Sequence, residues 1–287
     1  MVEYIHKPVM LKEVCDILGS CNIVLDCTLG LGGHASALLE LNKNLRLIGI
    51  DRDERALEIA KSRLSKFKDR VSIYHASFDA LDEVLRLEGL SSLDGALFDL
   101  GVSMLQLKHG EGFSFQRDEF LDMRMDLRQS LNAWKVINTY PERELERIFR
   151  DYAQERLYRQ LARAITLARA KKPINTTGEL LEIIMPILKR PRGKTHPATR
   201  VFQAIRIEVN DEIGQLKRAL SRAYMHSSLG ARMVIISFHS LEDQVVKNFL
   251  KENMKALFKK PLTPSAKEIE ENPSSRSAKL RAGIKVC

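Results

Sequence analysis

The chain has 287 residues, 44% hydrophobic and 29% charged. That is ordinary for a globular protein of one large domain or two smaller ones, and no apolar run approaches the ~18 residues that a membrane span needs. A formal net charge of +9 with a pI of about 9.4 favours a polyanionic partner. Cys15, Cys21, Cys27 and Cys287 form no C-x-x-C pair, and the start of the chain, with Glu3, His6, Lys7 and Pro8, has no signal or transit pattern. These features predict reduced thiols, no metal and a cytoplasmic location.

Apolar side chains at Val9, Met10, Val14, Ile17 and Leu18 predict a helix over 8–19 that covers the edge of a sheet. Strands follow at about 23–27 and 45–50, separated by the turn Thr28-Leu29-Gly30-Leu31-Gly32-Gly33 and a helix that starts near His34. A charged helix with Leu57, Ala60 and Leu64 on its apolar side leads to a third strand, Val71 to Ala76. The fourth, Gly95 to Phe98, ends in Asp99-Leu100-Gly101. Strands alternating with helices imply a parallel α/β sheet with right-handed crossovers.

From about 105 to 198 the pattern turns helical, with Arg156, Arg159 and Arg163 on one helix face and Leu157, Leu161 and Ile165 on another. Thr176 and Glu179 have the spacing of a helix start. The segment closes in Lys189-Arg190-Pro191-Arg192-Gly193-Lys194, too basic and broken for a core. One long helix is predicted over about 197–222, then a buried strand from Arg232 to Phe238. Segments near Leu257 and Leu280–Val286 can pair as closing antiparallel strands, with Pro261 to Ser277 an irregular connection. The predicted organisation is therefore a Rossmann-like sheet domain in two pieces, 1–104 and 199–287, around an inserted helical domain at 105–198.

Chemistry concentrates at the strand ends. Gly30 and Gly32 allow a tight turn and close approach of a ligand. Asp51 is placed to accept hydrogen bonds from ribose hydroxyls, which implies an adenosine. The spacing also permits NAD. Favouring S-adenosylmethionine are Asp26, which suits a cationic methionine amine better than a pyrophosphate, the polar Thr28 and His34 in the turn, and the lack of a second glycine turn. His34, at a helix N-terminus, is suited to donate to the ligand rather than to ionise. Phe78 fits either against an adenine or in the core. Asp99 is placed to touch both donor and substrate, or to cap a loop. His239 is a candidate general base or an oriented structural histidine, followed by Ser240 and Asp243 as a capping pair. Arg156, Arg159, Arg163, Arg190, Arg192 and Lys194 are candidate phosphate contacts.

Ordered strings run through the chain: His6-x-Pro8-Val9, Asp26-x-Thr28-x-Gly30-x-Gly32-Gly33-His34, Asp99-Leu100-Gly101-Val102-Ser103 with Gln106, and Gly112-Phe113-Ser114-Phe115. Asp122-Met123-Arg124-Met125-Asp126, Phe202-Gln203-Ala204, Ile236 to Asp243, Asn272-Pro273 and Ser277 to Arg281 follow. In these the chain resembles the bacterial small-subunit rRNA methyltransferase H, or MraW, family over nearly its whole length. The resemblance implies a methyltransferase acting on N4 of one cytidine in the decoding region of 16S rRNA, free or in an assembled small ribosomal subunit. It also implies donor contacts by Gly32, Gly33, His34, Asp51, Phe78, Asp99 and Gln106. Many amino-methylating enzymes carry an Asn/Asp-Pro-Pro-aromatic string after the fourth strand. Here Asp99 keeps the acceptor and the aromatic is missing, so Phe113 or Phe115 becomes the candidate to stack on an extruded base.

Overall fold

A computed structural model describes residues 7–101, 106, 111–188 and 196–286. The chain divides into two units, one formed by 1–101 with 213–287 and the other by 102–212.

The first unit is built on a seven-stranded sheet. Its strands are β1 (Ile23–Asp26), β2 (Arg46–Asp51), β3 (Val71–His75), β4 (Leu93–Asp99), β5 (Ser227–Ser237), β6 (Lys255–Ala256) and β7 (Lys279–Ile284), in the order β3-β2-β1-β4-β5-β7-β6. Only β7 runs against the rest, paired antiparallel with both β5 and β6. The expected closing pair therefore forms. The strand order reverses between β1 and β4, and the glycine turn after β1 and Asp99 after β4 flank that switch point.

Alternation along the strands assigns the two faces. Val24, Leu47, Leu97, Val234 and Ile236 face one core, shared with α1 (Leu11–Leu18), α2 (Gly33–Leu41) and α3 (Glu54–Leu64). Leu25, Ile48, Phe98, Met233 and Ile235 face the other, shared with α4 (Leu81–Leu87) and residues Leu216, Ala219, Leu220, Ala223, Val246 and Leu250. Helix α1 thus covers a face of the sheet and not its edge, because all its apolar residues can be buried only against two strands and a helix together.

The second unit contains α5 (Ala133–Thr139), α6 (Glu142–Asp151), α7 (Tyr158–Arg169), α8 (Thr177–Ile184) and α9 (Thr199–Asn210) around its own core, with Phe149, Leu161, Ile165, Leu180, Val201 and Ile205 inside. Thr176 and Glu179 form a reciprocal cap on α8, as their spacing suggests. Arg156 lies in the turn ahead of α7 and does not share a helix face with Arg159 and Arg163; all three are exposed.

The long helix expected over 197–222 is two helices, α9 and α10 (Glu212–Met225), broken at Asp211 with φ 45°. Asp tolerates this left-handed conformation better than most residues. The break lies at the boundary between the units, so residues 199–212 belong with the helical unit. Beside it Asn210, 1% exposed, accepts from the Met125 N–H at 2.9 Å and donates to the carbonyls of Met123 at 2.8 Å and Arg206 at 2.9 Å. Met123 is itself left-handed, φ 60°. The connection over 261–277, expected to be irregular, contains α12 (Ala266–Glu271), started by the Ser265 side chain, and a short 3-10 turn, Pro273–Ser277.

Asn210→Ala should destabilise the chain by about 2–4 kcal/mol, since it strands the buried Met125 N–H and the buried Met123 carbonyl. Urea unfolding monitored by circular dichroism checks this, and a change below about 0.5 kcal/mol, the scale of a neutral surface substitution, would show that the Met123 loop is held by something else.

Candidate active site

Three carboxyl groups stand at the carboxyl ends of neighbouring strands: Asp26 on β1, Asp51 on β2 and Asp99 on β4. Asp51 holds the glycine turn. Its Oδ2 accepts from the Gly30 N–H at 2.7 Å and its Oδ1 from the Asp53 N–H at 2.9 Å. Each oxygen keeps a second lone pair, so ribose hydroxyls can still be bound. Burial raises its pKa, against the lowering effect of those two backbone donors.

The turn itself needs glycine. Gly30 and Gly32 have φ 51° and 74°, and a Cβ on Gly33 would come within 2.5 Å of Pro8 Cγ. Pro8 and Val9 are therefore packed on the loop, a role that sequence reading did not assign to them. Val9 also fixes His34, whose Nε2 lies 2.9 Å from its carbonyl oxygen. A carbonyl only accepts, so Nε2 carries a hydrogen, and the ring turns Nδ1 towards Asp99, 3.7 Å from Oδ2. Nε2 is thus committed to the protein, and Nδ1 is the nitrogen on the side of Asp99.

Asp26 is 1% exposed and its Oδ1 accepts from the Thr28 N–H at 3.1 Å. The Thr28 hydroxyl in turn accepts from the Asp99 N–H at 2.6 Å. Thr28 thus ties the ends of β1 and β4 together, a link whose only trace in the sequence is a hydroxyl where small residues would suffice. Burial pushes Asp26 up to about 7, helped by the nearby Asp51 charge and opposed by the Thr28 N–H. Asp99 is pushed up to about 8, by burial and then by Asp26 and Glu242. Its Oδ1 is buried with no hydrogen-bond partner among the described residues.

Phe78 is 7% exposed, edge-on to Phe98 at 6.1 Å between ring centres, with the Arg52 guanidinium 5.3 Å from its own. Both of its sequence readings persist in that position, a core aromatic next to the end of β2. His239 starts α11 (Ser240–Asn253): Nδ1 accepts from the Glu242 N–H at 3.4 Å, while Glu242 Oε2 accepts from the N–H groups of Phe238 at 2.8 Å and His239 at 3.3 Å. Nε2 sits 3.0 Å from Glu242 Oε1 but out of line for a hydrogen bond. The capping pair is thus His239–Glu242, one position before the expected Ser240–Asp243. Asp243 instead binds Arg281 at 2.7 Å and Lys279 at 3.4 Å.

The remaining candidates lie elsewhere. Gln106 is a buried residue of the helical unit. Phe115 is packed in that unit between His196, 4.7 Å between ring centres, and Phe202 at 5.1 Å, whereas Phe113 is half-buried. Arg190, Arg192 and Lys194 lie outside the described residues.

The residues of the first unit fit a nucleoside-bearing, cationic ligand. A glycine cradle and spare Asp51 lone pairs suit the ribose. Three carboxyls at neighbouring strand ends, one with a buried oxygen that has no partner among the described residues, suit positive charge or an amino group.

A family model described as the MraW methylase family matches residues 3–286. The chain is 53% identical over 287 residues to the ribosomal RNA small subunit methyltransferase H of a Hydrogenobaculum species, covering 98% of this chain and 96% of that protein. It is 46% identical over 297 residues to the protein of the same name from a Sulfurihydrogenibium species, covering 100% of both. A solved rRNA methylase from Streptococcus thermophilus matches 96% of this chain and 94% of that one at 13% identity and a TM-score of 0.45, too distant to bear on function.

Asp99 ionises near 3.8 when unrestrained and near 8 in the fold. Between those pH values the folded state keeps a proton that the unfolded chain releases, so its contribution to stability is full at acid pH and is lost as pH rises through 8. Comparing urea midpoints at acid and mildly alkaline pH should show a smaller alkaline loss in Asp99→Asn than in the wild type. An equal loss in both would remove Asp99 as its source.

Proposed function

We propose, for a chain that belongs to the MraW methylase family, that it transfers a methyl group from S-adenosylmethionine to the exocyclic N4 of one cytidine in the decoding region of small-subunit (16S) rRNA. The observation that carries this reading is Asp99, a carboxyl with a buried oxygen that has no partner among the described residues, at the switch point beside a glycine cradle. A methylase needs a methyl donor, which decides the adenosine ligand against NAD. When bound, S-adenosylmethionine supplies an electrophilic methyl carbon on a sulfonium centre.

The chain's own residues do the rest. Asp51 accepts from the ribose, Gly32, Gly33 and His34 line the loop, Phe78 borders the base, and Gln106 adds a contact. Asp26 acts through Thr28, holding the loop and the end of β4 in register. Placement of N4 in line with the methyl carbon supplies most of the acceleration. The N4 lone pair is delocalised into the ring, and Asp99 Oδ1, accepting from an amino hydrogen, helps to localise it. The methylated amino group must shed a proton, and Asp99, ionising near 8, takes it at mildly alkaline pH. His239, engaged in starting a helix, orients its strand end and is not required as the base.

The cytosine is extruded to reach the site, since N4 is otherwise paired or stacked. Phe113 is the aromatic that receives it, Phe115 being packed between two other rings. In the helical unit, exposed Arg156, Arg159 and Arg163 neutralise phosphates together with Arg190, Arg192 and Lys194. The substrate, free rRNA or an assembled small subunit, places the enzyme in the cytoplasm. No helix among the described residues is long and apolar enough to cross a membrane.

Mass-spectrometric mapping of small-subunit rRNA from cells with and without this protein should show N4-methylcytidine lost at one decoding-region position. Unchanged modification would overturn the reading.

Two variants test the residues. Asp51→Ala should weaken donor binding by about 1.5–3 kcal/mol per lost charge-assisted bond before water compensates, read by calorimetric titration. Asp99→Ala, with the donor still bound at saturating concentration, should lose about 10²–10⁴-fold in single-turnover methyl transfer, the range for a lost proton acceptor. The wild-type rate should climb with pH towards 8 and the Asp99→Asn rate should not. A purely structural Asp99 would give a normal rate per folded molecule.

A further inference from the structure

The far edge of the sheet in the first unit carries a strip of lysines that neither the donor site nor the helical unit uses. Lys247 and Lys251 lie four residues apart on α11, Lys255 is in β6, and Lys259 and Lys260 follow it; all five are exposed. Across residues 247–260 the sole acidic residue is Glu252, so fourteen residues hold +4 of the chain's net +9. None of the five lysines makes an ion pair among the described residues. The neighbouring acids are engaged: Asp243 by Arg281 and Lys279, Glu271 by Lys7, and Glu268 by the Met10 N–H. Two large apolar side chains, Leu257 and Phe258, are exposed within the strip at 39% and 37%.

The sheet register gives this strip a direction. Lys255 pairs with Ile284, the Leu257 N–H donates to the Ala282 carbonyl at 2.9 Å, and Leu262 bridges to Leu280. Leu280 pairs with Ile236, one residue before β5 ends. The segment therefore climbs the open edge of the sheet towards its carboxyl end, where Asp51 and Asp99 stand. Edge strands often carry lysine merely to prevent pairing with another sheet. One or two would serve that purpose; here three on the edge segment, Lys255, Lys259 and Lys260, accompany an exposed aromatic, and two more stand on the preceding helix.

We propose that this edge is a second contact surface for the RNA substrate, its lysines binding phosphates of the strand that leads to the target nucleotide and Phe258 stacking on a base. This inference rests on the rRNA reading above and adds a surface on the sheet unit to the arginines of the helical one.

Fluorescence anisotropy tests it, with the full chain titrated at several salt concentrations into a labelled RNA of the decoding-region sequence. Changing Lys247, Lys251, Lys255, Lys259 and Lys260 to Gln should flatten the plot of log affinity against log salt by about 2–4 units, close to one per lost contact. The same five changed to Arg should restore the slope. Phe258→Ala should bind about tenfold more weakly at every salt concentration with the slope unchanged. Donor affinity, measured by calorimetry, should be the same in all variants and shows that they are folded.

An unchanged slope in the five-Gln variant, with wild-type binding intact, overturns the surface and leaves the rRNA reading standing. If that variant also self-associates, the lysines are edge guards. If it loses binding to polyglutamate while keeping the RNA slope, the edge serves an acidic protein. Either result overturns the proposal. A wild type that binds no such RNA overturns the reading and the proposal together.

Discussion

Like charges crowded at the end of a buried sheet are the constraint on which this site depends. Asp26, Asp51 and Asp99 close three adjacent strands, and burial opposes ionisation of each. The fold answers in three different ways. Asp51 is stabilised as an anion by two backbone N–H groups, Asp26 is held by one, and Asp99 Oδ1 has no partner among the described residues. That gradient separates their chemistry. The first is suited to accept hydrogen bonds from neutral hydroxyls, the last to exchange a proton near neutral pH. A cationic ligand would favour ionisation of all three, which gives so acidic a pocket a use in so basic a protein.

Much of this was legible beforehand for a simple reason. A parallel strand buried on both faces must be apolar nearly throughout, so polar residues that interrupt its end stand out. Asp26, Asp51 and Asp99 marked the candidate site in this way, and the glycines marked the turn. The supporting contacts were less legible because they join residues far apart in the chain through groups common to every sequence. Val9 acts through its carbonyl, Gly30 and Asp53 through their N–H groups, and Pro8 through its shape against a glycine. Only Thr28 left a side chain to notice.

Helix boundaries failed where side chains outweighed periodicity. The apolar pattern continues across Asp211, yet the chain turns left-handed there, with Asn210 pulled inward by three bonds and Arg206 paired with Glu212 at 2.7 Å. At the start of α11, both Ser240–Asp243 and His239–Glu242 have the spacing of a cap. Two lysine- and arginine-bearing positions on β7 decided between them by claiming Asp243, which left Glu242 for the backbone. Choices of that kind are tertiary, and no window of local sequence contains them.

The His34–Val9 contact shows how far this support reaches into the chemistry. A neutral imidazole has one hydrogen, and which nitrogen holds it depends on the partner of the other. The Val9 carbonyl fixes a hydrogen on Nε2, so that edge of the ring is held by the protein while Nδ1 stands 3.7 Å from Asp99 Oδ2. Burial, with the Asp26 and Glu242 charges, favours the acid form of Asp99, and Oδ1, which has no partner among the described residues, is the oxygen left to address an incoming amino group. Val9 keeps its place because Pro8 is packed on Gly33, so a side chain at Gly33 would disturb more than the turn. It would displace the carbonyl that holds the His34 ring, and with it a neighbour of a carboxyl three strands away along the chain.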